Sequence, residues 1–204
     1  MVGKIFLILL SGLILSNCSN NLSDSFTNSP NNLSEGEVEA NEEKNIHSLV
    51  IERWLIDSIY FEGDTIYIEK ETGKISSDWF NIQLNKSRFS ETDAEMIDDF
   101  NSQNLTTSEI KTNLNISQKY KFISESENVN ETELKKADHN LSLAFQKKFP
   151  DAKIFIAFSK IGFNNEKSKA IVYSHNLFDK GGYFLLQKEN CQWKLVEYRN
   201  AWVH

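Results

Sequence analysis

The last fifty residues constrain the fold most. Four β-rich runs follow one another there: Ile154 to Phe163, Ala170 to His175, Tyr183 to Gln187 and Trp193 to Arg199, the last extended by Ala201 to Val203. Asn164-Asn165-Glu166 reads as a turn, Gly181-Gly182 as a turn opening the third run, and Glu189-Asn190 as a turn into the fourth. Parallel neighbours need a crossover of a dozen residues or more, which these connections lack. Such short turns favour an antiparallel meander.

Helical text comes earlier in the chain. Ile46, Val50 and Trp54 recur every four positions with Leu49 beside them, and Glu52 and Arg53 fall off that stripe. The spacing predicts a half-buried helix from Glu43 to Ser58. Ser77 is a candidate cap for a short helix through Trp79 and Phe80. Thr92 and Glu95 have capping-box spacing before Met96, Ile97 and Phe100, which predicts a helix over Thr92 to Ser102. Leu141, Ala144, Phe145 and Phe149 line a further helix that Pro150 stops. Thr65 to Glu69 alternates as a strand, Tyr120 to Ile123 is another, and Ser124 to Glu131 reads as a loop. Helices first and a meander last predict an α+β domain over residues 45–204. Its N-terminal helices pack on one face of an antiparallel sheet that ends in the four-stranded meander.

The N-terminus carries an address. Lys4 and the apolar runs Ile5 to Leu10 and Leu13 to Leu15 are too short to span a bilayer comfortably. Leu15-Ser16-Asn17-Cys18 resembles the lipobox of bacterial lipoproteins, whose signal peptide is cut before a cysteine bearing a diacylglyceryl thioether. Residues 1–17 are then a signal peptide and Cys18 the lipidation site, although Asn17 stands where Gly, Ala or Ser is usual. The alternative is an ordinary secretory signal cut elsewhere, with Cys18 incidental. Residues 18–44 are rich in Ser, Asn and Glu and read as a disordered acidic tether. Such a tether would span ~28 Å and stretch to ~90 Å. Ser19 after the cysteine leans towards the outer membrane.

The chain's net charge of −7 gathers in that stretch, where Asp24, Glu35, Glu37, Glu39, Glu42 and Glu43 face Lys44 alone. No basic patch with interleaved aromatics is present, which argues against a nucleic-acid partner. Only Cys18 and Cys191 are available for cross-linking, so lipidation of the first leaves the second without a partner in the chain.

Candidate chemistry is sparse. His47, His139, His175 and His204 form no metal-ligand spacing, and neither metal nor cofactor is expected. Cys191 lies in a turn beside Glu189, where an acidic neighbour raises a thiol pKa. Ser159-Lys160 lacks the spacing of an acylation motif. Glu91, Asp93, Glu95, Asp98 and Asp99 cluster around one helix, where complementing its dipole is the simpler role. Trp54, Trp79, Trp193 and Trp202 could line a sugar or peptide groove, but at these spacings they suit a core.

The meander also carries a resemblance. Phe149-Pro150-Asp151-Ala152, Phe158 to Asn164, Lys169 to Tyr173, Gly182 to Lys188, Trp193 to Val196 and Trp202-Val203 form a connected pattern, with Ile59-Tyr60 and Glu91 to Asn104 upstream. In this it resembles a family of uncharacterised secreted or lipid-anchored bacterial proteins. The resemblance implies the architecture and an envelope location, and no activity. Relatives often carry cysteine in the loop between the second and third strands. Here that loop, His175 to Gly182, has none, so the resemblance implies no loop disulfide.

The expectation is a lipid-anchored envelope protein acting as a non-catalytic binding or structural module, with a membrane and an envelope protein as partners. The alternative is an envelope hydrolase assembled from scattered residues, such as the Glu91 to Asp99 acids or His175 with Asp179.

Overall fold

The computed structural model describes residues 34–57, 61–72, 93–110, 113–176 and 180–203. Cys18 and the leader, the helix expected at Ser77, and Trp79, Glu91, Asp179 and His204 lie outside the described residues. In chain order the elements are α1 (Glu35–Asp57), β1 (Thr65–Glu69), β2 (Glu71–Thr72), α2 (Ala94–Gln103), β3 (Ser108–Glu109) and β4 (Tyr120–Ile123). Then come α3 (Glu131–Lys136), α4 (Leu141–Lys148), β5 (Ala152–Phe158), β6 (Gly162–Phe163), β7 (Lys169–Asn176), β8 (Lys180–Glu189) and β9 (Gln192–Val203). The class is α+β.

A mixed sheet runs in the order β4-β1-β5-β7-β8-β9, with β6 also on β7; β2 and β3 form a separate two-stranded ribbon. The antiparallel meander is present: β5 pairs β7, β7 pairs β8 and β8 pairs β9. Residues Gly181 and Gly182, expected in a turn, lie inside β8. The rest of the sheet departs from the expected antiparallel arrangement, because β1 pairs in parallel with both β4 and β5. Those parallel neighbours are separated by long crossovers holding α2, α3 and α4, and so obey the same connection rule.

Helices cover both sheet faces, where one was expected. Strand alternation shows why. Ile66 and Ile68 of β1, Ile154, Ile156 and Phe158 of β5, Ala170 and Val172 of β7, and Phe184 and Leu186 of β8 share a core with Ile46, Val50, Ile51 and Trp54 of α1. The intervening residues point the other way. Tyr67, Phe155 and Ala157 meet Phe145 of α4, while Ile171 and Tyr173 meet Met96, Ile97 and Phe100 of α2. Strands buried on both faces need near-continuous apolar text, as β5 has in Ile154-Phe155-Ile156-Ala157-Phe158.

Helix α1 begins at Glu35, eight residues before the predicted start. The acidic text read as tether from Glu35 to Lys44 is helical, and its acids have remote partners. Glu39 meets Lys167 at 3.1 Å, and Glu42 pairs with Lys188. The Ser34 hydroxyl and backbone N–H both donate to the Glu37 carboxylate, which fixes the entry to the helix. Two segments read as loop or left unassigned also carry structure. Ser124 caps a 3-10 turn at Glu125–Glu127, and Asn130 caps α3 by accepting from the Glu133 N–H.

Candidate functional site

A cleft of about 490 Å³ opens where α1, α2, the β2–β3 ribbon and the β5–β7 connection meet. Glu39, Glu43 and His47 recur every fourth residue of α1, which puts them on one stripe facing it. The opposite wall is the segment from Lys160 to Lys167, held firmly by α2. The Asp99 carboxylate accepts the Phe163 N–H at 2.7 Å, and the Asn104 side chain accepts the Lys160 N–H at 2.8 Å while donating to the Lys160 carbonyl. Asn164 closes the turn by accepting the Ser168 and Lys169 N–H groups, and Lys167 takes the left-handed conformation at φ 49°. The ribbon closes the third side, where Thr72 and Ser108 hydrogen bond to each other.

His47 is the unusual member of the cleft. It is 3 % exposed, its ring packs on Phe158 at 4.6 Å between centroids, and neither ring nitrogen has a hydrogen-bond partner. Burial away from water pushes its pKa down to about 4, so the imidazole is neutral at physiological pH. One turn earlier, desolvation by the cleft walls raises the Glu43 pKa. Repulsion from Glu39 adds to this, against the pull of Lys160 and Lys167. Both observations depend on tertiary structure; the periodicity of α1 alone marks Ile46 and Val50 and passes over His47.

Among the described residues, those singled out from sequence do not converge. Asp93 pairs with Lys169 at 2.9 Å in a different depression from the one Asp99 lines. Asp99 is spent on Phe163 and on the Gln103 amide. His175 is half-buried, with Nδ1 at 3.2 Å from the Asn176 carbonyl, and desolvation lowers its pKa. His139 takes the left-handed conformation after α3. The Ser159 hydroxyl is buried, donating to the Lys160 carbonyl and accepting the Tyr173 N–H, so it is tied to backbone on both sides. Among the described residues no three His, Cys, Asp or Glu side chains converge to hold a metal ion.

Cys191 requires a correction. Expected to stand alone if Cys18 is lipidated, it is disulfide-bonded. Asn190 and Cys191 form the two-residue turn of the β8–β9 hairpin with φ of 49° and 63°, the backbone of a type I′ turn. Trp54 and Trp193 are core residues, 3 % and 7 % exposed, and the Trp54 indole donates to the Ser174 hydroxyl at 2.9 Å. Among the described residues no helix is long and apolar enough to cross a membrane. Comparison with protein-family models, curated proteins and solved structures finds no match to this chain.

Proposed function

We propose that this chain is a lipid-anchored protein of the bacterial envelope, held at the outer membrane through Cys18, and that it works by binding rather than by catalysis. One observation carries the binding reading: the cleft holds His47, a buried ring whose two nitrogens lack hydrogen-bond partners, facing a wall that hydrogen bonds to α2 hold in place. A hydrolase needs a nucleophile or a carboxylate pair set across a cleft. Asp93, Asp99 and the Ser159 hydroxyl are engaged in ties between elements, which favours the binding module. An envelope protein is the second reading. It would add to β9, a 12-residue strand whose outer edge carries no neighbour among the described residues and where Val196 is 61 % exposed.

The test is native mass spectrometry of the detergent-extracted protein after incubation with the small-molecule fraction of its own envelope. A retained adduct lost on His47→Leu supports the cleft. Conversion of that fraction into cleaved products by the purified protein would overturn the non-catalytic reading.

A further inference from the structure

The charges of the cleft show what kind of ligand would complete it. Four carboxylates, Glu39, Glu43, Asp99 and Glu109, share it with two ammonium groups, Lys160 and Lys167. Lys167 pairs with Glu39 at 3.1 Å, and Lys70 reaches Glu109 at 3.3 Å. Asp99 accepts the Phe163 N–H and the Gln103 amide, and the Lys160 ammonium donates to the Thr106 hydroxyl at 2.7 Å. Glu43, a solvent-exposed residue of the stripe, alone among these carboxylates has no hydrogen bond or ion pair with the described residues. Beside it, nine-tenths buried and more, His47 presents a ring whose two nitrogens are both unpartnered.

We propose that this cleft binds a small organic cation, bearing a primary ammonium or guanidinium group, with Glu43 as its ion-pair partner. The proposal rests on the binding reading above and narrows it to a chemical class. An ammonium or guanidinium brings several N–H donors and no acceptor. That matches an unpaired carboxylate beside a neutral imidazole, which offers a lone pair and no opposing charge. An anion would meet two lysines already engaged and a carboxylate with nothing to neutralise it. Neutral polyols fit the volume but leave the charge of Glu43 uncompensated.

Three probes separate these cases on the full-length protein extracted in detergent: agmatine, glutarate and erythritol. The readouts are calorimetry and the NMR shifts of the His47 ring carbons. Agmatine is expected to bind and to move the His47 signals, with affinity falling as salt rises. Glu43→Gln, which removes no hydrogen bond, should weaken it at least 10-fold with the melting temperature unchanged. Lys160→Met, which removes a competing positive charge, should tighten it. Glutarate or erythritol moving His47 while agmatine does not would sink the cation and leave the binding reading standing. Unchanged agmatine affinity in Glu43→Gln would also overturn the proposal. Silence of His47 towards all three probes would overturn it and remove the support for a binding cleft as well.

Discussion

His47 and Trp193 show what single side chains do here. The His47 ring is held neutral in the fold with a pKa of about 4, below its ordinary 6.5, because burial penalises the charged form. In the unfolded chain the same ring takes up a proton near pH 6.5, so the unfolded state binds more protons between about pH 4 and 6.5. Stability must therefore rise with pH across that window, by roughly 3 kcal/mol from this residue. Urea midpoints measured from pH 4.5 to 7 should show that slope. His47→Leu should flatten it, leaving a residual slope from His175, whose pKa is lowered in the same sense. Trp193 is the packing counterpart. Its indole is 7 % exposed, with Phe163 at 5.9 Å and the Lys188 ammonium 4.9 Å above the ring. Trp193→Ala is expected to cost about 3–5 kcal/mol by chemical denaturation. A loss below about 1 kcal/mol would mean the ring lies open to solvent.

Among the elements, α2 lies tight against β6. A Cβ added at Gly162 would lie 2.5 Å from the Phe100 Cβ and backbone N, and helix backbone cannot yield as a side-chain tip does. Gly162→Ala should lift α2 from the sheet and destabilise by about 1–3 kcal/mol. Amide exchange should speed up in Ala94–Gln103 before it does in β8. The same scale explains which elements could be read from the sequence. Thr65–Glu69 and Tyr120–Ile123 coincide with strands marked by alternation, and Met96, Ile97 and Phe100 form the buried face that their spacing indicates. The parallel pairing of β1 could not be read, because alternation reports which face a residue takes and says nothing about a partner 88 residues away, as Ile66 and Ile154 are. The first turns of α1 escaped for a related reason. Their acids look like a solvated tether until Lys167 and Lys188, 128 and 146 residues further on, are brought beside Glu39 and Glu42. The cleft was hidden for the same cause, being assembled from five separated segments.

At the scale of the whole molecule, the proposed anchor and the observed helix start set how far the folded part can stand from a membrane. With α1 beginning at Glu35, only residues 19–34 separate it from Cys18, whatever conformation they take. Sixteen residues reach at most about 55 Å, well short of the reach of a tether running to Lys44. An anchor at Cys18 would make the N-terminal end of α1, which leads into the cleft stripe Glu39, Glu43 and His47, the described segment nearest to it along the chain. Anchoring itself has a direct test. Lipid at Cys18 predicts that the wild-type protein partitions with membranes and that Cys18→Ala moves to the soluble fraction. The chain has two cysteines, so a thioether on Cys18 and an intrachain disulfide from it to Cys191 exclude each other. Mass spectrometry of the mature N-terminal peptide decides between them. A cysteine bearing diacylglycerol sustains the anchor, and its mass also requires that Cys191 find its partner in a second molecule or remain reduced. A peptide still carrying the leader, or a Cys18 linked to Cys191 without lipid, would overturn the thioether anchor.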